Sequence, residues 1–562
     1  MNDPANQPGR RAASTRVTRV VQVACAAVMA FLALQILTFS YGRDQGIYAM
    51  VARTVVRGGM PYRDAWDFKP PGIYVVYAIA RVLFGGGQVS IRLVEVACLA
   101  LSAFAMTRIA RELWGSTRAG WIAGAVAFAA HAELDFWHTA QPESFGGFAT
   151  IFAIALVARD LGGGGARAGV ERRDLVRWVG AGALCGFAGL LKPPLAGAAP
   201  VLAAAIAWRA LHRTTEAGAR RRAALTPLVA VGAGAVATVS LVAVWFSAKG
   251  ALGDLVEALF VFAPHYTRLS WEGASIPAMF YAGFTDWLVG YSSVASAGVL
   301  LFVVFGRSDG AWPRGAGALL AIIGVQLLGV VLQGKFFPYH YGATWPVTAL
   351  LAGVGYDRLL ARLERFGPAG AAAFFALVAI VAPMRTAVHD LEGTFRERCA
   401  ARVRLFVTGP RDQEEIDELA SVADVNAVAN RAVASWLATH TPADRPILVW
   451  GFEPVIYDLA GRAPATRYLY DVPQRVAWAK DASRAELMRE LAHAPPSAIV
   501  VEHRDVFPAV TGDSADSAES LAGFDALREL VAARYQLVQT IEDFDLYVER
   551  AGGVVSAPRR GR

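Results

Sequence analysis

Eleven windows, beginning near residues 18, 88, 119, 146, 175, 194, 226, 280, 316, 343 and 368, are apolar enough to lie in hydrocarbon, and several are broken by glycine. A membrane crossing takes about 20 apolar residues to cover roughly 30 Å. With 55% of the chain hydrophobic and 18% charged, that many windows exceed what one water-facing core can hold. The sequence therefore predicts a polytopic α-helical membrane domain of about 11 spans.

Charge tests the count. With the N-terminus on the cytoplasmic side, every arginine-rich loop falls inside: residues 1–20 (Arg10, Arg11, Arg16, Arg19), 108–118 (Arg108, Arg111, Arg118), 159–177, 209–222, 305–315 (Arg307, Arg314) and 357–365 (Arg358, Arg362, Arg365). Positive charge on short loops sets membrane orientation. The same loops explain the net charge of +7 without nucleic acid as a partner. The first apolar run has the basic flank of a signal peptide but no small-residue cleavage site before Tyr41, so it reads as a retained span. Three of the four cysteines, Cys25, Cys98 and Cys185, fall inside apolar stretches and Cys399 stands alone, so no disulfide framework follows.

An odd number of crossings leaves the C-terminal part outside. Residues 1–385 form the membrane domain, with a long first outer loop at 41–87, too polar around RDAWDFKPPG to span and containing helices lying along the interface, and a second large outer loop at 248–279. From 386 to 562 the pattern changes: PILVWGF (446–452), SAIVVEH (497–503), YQLVQTI (535–541) and FDLYVER (544–550) alternate with helical stretches. These predict an extracytoplasmic α/β domain. The run GGGG at 162–165 reads as a flexible cytoplasmic loop.

Only five of the 54 basic residues are lysine: Lys69, Lys192, Lys249, Lys335 and Lys480. Four stand at expected outer ends of spans or in outer loops, where orientation disfavours them. An anion on that face offsets the cost, and a lipid phosphate lies at the right depth for lysine to meet; snorkelling interface anchors are the alternative. Lys69 lies in DFKPPG, Lys192 in LLKPPL and Lys335 in GKFFPYHYG. In the first two, Pro-Pro redirects the backbone just after the charge. In the third, His340 and Tyr341 add donors for phosphate oxygens.

The acids complete the candidates. Asp44 follows the first span, and the spacing of Ile47, Met50 and Val51 predicts an amphipathic helix starting there. Asp44 is either its cap or a general base at the membrane surface, able to take the proton of an attacking hydroxyl. Glu143, in AELDFWHTAQPESF, and Asp67, two residues before Lys69, are candidates for holding sugar or acceptor. A surface-loop role for Glu143 and a pairing of Asp67 with Lys69 are the plainer readings.

The segment RDQGIYAMVARTVVRGGMPYRDAWDFKPPGIYVVYAIARVLFG, followed by Arg92, together with QPESF at 141–145, Lys192 and GKFFPYHYGATWP at 334–346, resembles the protein O-mannosyltransferase-like and lipid A aminoarabinose transferase-like branch of the GT-C glycosyltransferases. The resemblance implies an inner-membrane, multi-pass enzyme that moves a sugar from a polyprenyl phosphate to an extracytoplasmic acceptor with inversion, from within the membrane lipid. Asp44 then matches the base and Lys69 a phosphate ligand, with Lys192, Lys335, His340 and Tyr341 on the phosphate side. Arg43 and Gln45 flank Asp44 where metal-dependent relatives carry a second acid, so no required metal or other cofactor is implied. A transporter or glycolipid flippase, or a non-catalytic polysaccharide-assembly subunit, remains the rival reading.

Overall fold

The structure is a computed structural model that describes residues 8–163, 170–213, 217–307, 310–382, 395–410, 412–421 and 425–550. The expected domain boundary at 385 and the glycines at 164 and 165 lie outside those residues. Two compact units emerge: the first comprises Met1–Ser40, Lys69–Gly250 and Gly273–Val407, the second Tyr41–Phe68, Ala251–Glu272 and Thr408–Arg562. The first outer loop is thus shared, residues 41–68 going with the second unit and Lys69 onward with the first.

The first unit is helical. Among the described residues seven helices are long and apolar enough to cross a membrane: Thr15–Leu37, Gln88–Trp114, Pro142–Gly162, Arg172–Leu191, Pro193–His212, Arg220–Ala248 and Ala316–Gln333. The pair Ile276–Gly290 and Ser293–Phe305, bent by 101°, makes an eighth if it is one span. The other three apolar windows are also helices, but Thr117–Ala132 has 16 residues and Pro368–Val381 has 14. At about 1.5 Å per residue such helices fall short of the hydrocarbon thickness. Thr344–Leu363 has the length, but Asp357, Arg358 and Arg362 crowd its last turns.

Small residues bring these helices together. Gly182 and Gly186 sit one turn apart, and a Cβ at either would collide with the backbone at Val231 or Ala235 of the neighbouring helix. This is the close approach that a GxxxG spacing permits in lipid. A charged pair, Arg92 and Glu95, is wholly enclosed. Arg92 donates to the Ser40 carbonyl at 2.7 Å, the Phe136 carbonyl at 2.9 Å and the Thr139 hydroxyl at 2.9 Å, and pairs with Glu95 at 2.8 Å. Glu95 in turn meets His131 at 2.9 Å.

The second unit is built on a four-stranded sheet of β1 (Leu448–Trp450), β2 (Ala498–Glu502), β3 (Tyr535–Ile541) and β4 (Phe544–Glu549), ordered β1-β2-β4-β3. Each strand falls in one of the four apolar runs expected to form it. β1 and β2 are parallel and fully buried, as parallel strands are, while β4 runs antiparallel to β2 and β3. The sheet is joined by helix Arg43–Val56 and the turn at 61–68 from far earlier in the chain. Trp66 donates its N–H to the Arg467 carbonyl at 2.7 Å. Every residue from Gln45 to Ala52 is buried, so this helix carries more than the one-sided apolar face that its spacing predicts.

Candidate active site

In the first unit two Lys-Pro-Pro turns meet. Helix Arg172–Leu191 stops at Lys192, whose φ of −155° and ψ of 120° are extended, as the residue before a proline is driven to be. Pro71 stands at the cap of helix Gly72–Phe84. Gly72 lies so near the end of the other helix that a Cβ would come within 2.7 Å of the Leu190 carbonyl oxygen. Glycine lets the two turns abut.

Both lysines converge on one aromatic ring. The ammonium of Lys69 is 5.7 Å and that of Lys192 5.8 Å from the centroid of Tyr339, within cation–π range, and His138 stacks on the same ring at 5.8 Å. Tyr339 belongs to the turn Pro338–Tyr341, entered from span Ala316–Gln333 through Lys335. Burial and the charge of Lys69 push the Lys335 ammonium down to about 8. Burial first, then the charges of Lys192, Lys69, Lys335 and His138, hold the His340 imidazole well below its ordinary value. Burial, with the neighbouring positive charges adding to it, thus disfavours the charged forms of both groups, a situation that a bound anion opposes.

Glu143, in the first turn of helix Pro142–Gly162, is buried and paired with Lys192. Its second oxygen, Oε2, together with Ser144 Oγ and His340 Nδ1, is buried with no hydrogen-bond partner among the described residues. Unsatisfied buried polar atoms are rare in folded proteins. Glu143 and Ser144 open the helix whose acid pairs with Lys192, and His340 lies in the turn that carries Tyr339. Tyr341 is placed differently, its ring 5.1 Å from Tyr291 within the apolar core.

The second unit holds the other candidates. Helix Arg43–Val56 begins at N-cap Gly42, whose N–H donates to the Gln45 side chain at 3.0 Å. Asp44 is half-buried in the first helical turn and does not occupy the N-cap. Tyr470 donates to Asp67 Oδ1 at 2.8 Å. Burial, then the charges of Asp67 and Asp44, drive the Tyr470 phenol well above its ordinary value. Asp67 holds this phenol by a hydrogen bond, and the charge of Asp44 also acts on it. Asp67 is itself 1% exposed and also accepts from the Phe68 N–H at 2.8 Å, the ties of a carboxylate that fixes a turn. Among the described residues no group of three or more His, Cys, Asp or Glu is placed to hold a metal ion.

No protein-family model matches the chain, and no curated protein matches it either. Solved structures do. ArnT from Cupriavidus metallidurans bound to undecaprenyl phosphate aligns with a TM-score of 0.58 at 16% identity, covering 94% of this chain and 98% of that one. Its apo state aligns at 0.57 with 16% identity, covering 93% and 97%. The chain has the GT-C glycosyltransferase fold. The Archaeoglobus fulgidus oligosaccharyltransferase tethered with an acceptor peptide aligns at 0.45 with 13% identity, over 86% of this chain and 69% of that one. The GT-C fold supplies the arrangement seen here, a polytopic helical domain followed by an α/β domain with a small sheet.

Within this GT-C fold, sequence reasoning passed over Tyr339 and His138 although both lie in segments it quoted. A turn of about three residues per turn points neighbouring side chains in different directions, so PYHY alone does not say which aromatic meets the lysines.

Proposed function

We propose that the protein is an integral-membrane glycosyltransferase that moves a sugar from a polyprenyl-phosphate donor to an acceptor hydroxyl on the extracytoplasmic side, with inversion. The observation that carries this reading is the convergence of Lys69 and Lys192 on Tyr339, with Lys335 and His340, whose Nδ1 is buried with no hydrogen-bond partner among the described residues, in the electrostatics of the same cluster. In this reading the bond between the anomeric carbon and the phosphate oxygen breaks, and its electron pair leaves with the polyprenyl phosphate. The lysines meet the charge that grows there. The acceptor oxygen bonds to the carbon from the opposite face, and Asp44 takes its proton. Glu143 holds Lys192 beside the sugar end of the donor, and Asp67 fixes the turn that leads into Lys69. Lysine meets the phosphate charge, so the reaction calls for no metal. The protein lies in a bacterial inner membrane with its N-terminus inside and its α/β domain outside.

The test uses purified protein in lipid with a panel of polyprenyl-phosphate sugars, with and without chelator. Acceptor-dependent release of free polyprenyl phosphate is expected in both. Movement of intact donor across the bilayer without release would instead identify a flippase, and neither activity would point to an assembly subunit.

A further inference from the structure

In sheets with parallel strands, ligands bind in the crevice outside the carboxyl ends. In the second unit that place holds a side chain of the protein itself. Glu453 follows the carboxyl end of β1 and Glu502 ends β2. Arg43 pairs with Glu453 at 2.9 Å and reaches Glu502 at 4.0 Å. Its guanidinium also lies 4.6 Å from the Phe507 ring centroid and 5.9 Å from that of Phe452.

The two acids are themselves fixed. Glu453 accepts from Asn430 Nδ2 at 2.8 Å, and Glu502 Oε2 accepts from the Phe452 N–H at 2.6 Å. They are 2% and 4% exposed. The same helix start is held at a second point, because a Cβ at Gly46 would lie 3.2 Å from the Val455 nitrogen. An arginine between two buried carboxylates and two rings is placed in direction as well as position. Asp44 is the next residue along the same helical turn, and the N-cap, Gly42, contributes no side chain of its own.

We propose that Arg43 is a positioning residue through which the strand-end acids Glu453 and Glu502 fix the helix start that carries Asp44. The inference rests on reading Asp44 as the base. It gives the α/β domain a part in the chemistry: the domain holds the base in register by gripping its neighbour. Arg43 acts through Asp44, so its removal slows turnover and leaves donor affinity alone.

The experiment is a double-mutant cycle on the full-length protein in lipid, with melting temperature read beside kcat and donor KM. Arg43→Met is expected to lower kcat about ten-fold with donor KM unchanged, in proportion to the misplacement of a catalytic group, and Arg43→Lys to recover part of it. In an Asp44→Asn background Arg43→Met should cost nothing further, because groups that act as a unit are non-additive. Glu453→Gln, which keeps the Asn430 hydrogen bond, carries the same cycle if Arg43→Met does not fold. A loss that multiplies undiminished in the Asp44→Asn background, or no loss in kcat, overturns the positioning role while leaving the base in place. Near-normal turnover of Asp44→Asn alone removes the base itself and this inference with it.

Discussion

Lys192 closes onto one carboxylate oxygen of Glu143 while the other, Oε2, is buried without a hydrogen-bond partner among the described residues. A lysine that binds phosphate and is also half-neutralised by a buried acid creates a specific imbalance when either is removed. Lys192→Ala leaves a buried anion without its ion-pair partner where the proposed donor phosphate would sit. It should therefore raise donor KM more than Lys69→Ala, which is expected to weaken donor use by about ten-fold from the loss of one charge-assisted bond. Glu143→Gln added to Lys192→Ala should restore part of the loss. A double variant as poor as Lys192→Ala would mean that Glu143 does not oppose the phosphate.

Lys335 is expected to set an alkaline limit. Its ammonium is held near 8 by burial and by Lys69, so in the free protein the charge is present below that pH and lost as pH rises through it. The ratio kcat/KM for the donor reports free-enzyme groups and should fall above about pH 8. Lys335→Arg, charged throughout, should move that fall to higher pH. A profile that descends at the same pH in both proteins would assign the limb to another group.

Much of this was legible from residue order, and the reasons differ by element. All four strands stood out because apolar, β-branched runs between polar stretches have few alternatives. The start of helix Arg43–Val56 was marked by the spacing of Ile47, Met50 and Val51, and the two lysine turns by Pro-Pro. The grip on Arg43 was not legible, because Glu453 and Glu502 come from the far end of the chain and nothing local to Arg43 requires them. Nor was the direction of Tyr339 against Tyr341 within one short turn. The helices at 117, 344 and 368 show the limit of an apolar window: it reports the capacity to be buried, and protein or lipid can meet that capacity.

Arg92 is expected to govern stability. It is 0% exposed, joined to Glu95, Thr139 and the carbonyls of Ser40 and Phe136. Arg92→Leu strands Glu95 as a buried charge, which typically costs about 3–5 kcal/mol, and lysine cannot reproduce the fork of donors. Thermal unfolding in detergent should show both variants well below the parent. Melting with the parent would mean that the network is dispensable.

Orientation is tested by a reporter fused after Arg385, a position outside the described residues. The arginine clusters at 108–118, 209–222 and 357–365 predict that it lies on the extracytoplasmic side by the charge bias of short loops. An alkaline phosphatase fused there should be active and a fluorescent protein that matures only in the cytoplasm should be dark. The opposite pair of signals would invert the topology and take the lysine cluster to the wrong face.

The base is tested by Asp44→Asn. The N-cap of this helix is Gly42, closed by the Gln45 side chain at 3.0 Å, so the exchange leaves the cap in place and removes a charge and a proton acceptor. Asn also keeps the size of the side chain beside Tyr470, whose phenol feels the Asp44 charge. The variant should insert, melt as the parent does and bind donor lipid, while transfer falls by about 100-fold or more, the scale of a lost general base. If the residue only shapes the start of the helix, Asn serves nearly as well and turnover stays close to that of the parent. Turnover must be compared at equal amounts of folded protein, because a melting defect imitates lost chemistry. Near-normal transfer at matched stability would exclude Asp44 and move the search for the base to Glu143, whose Oε2 is buried without a hydrogen-bond partner among the described residues.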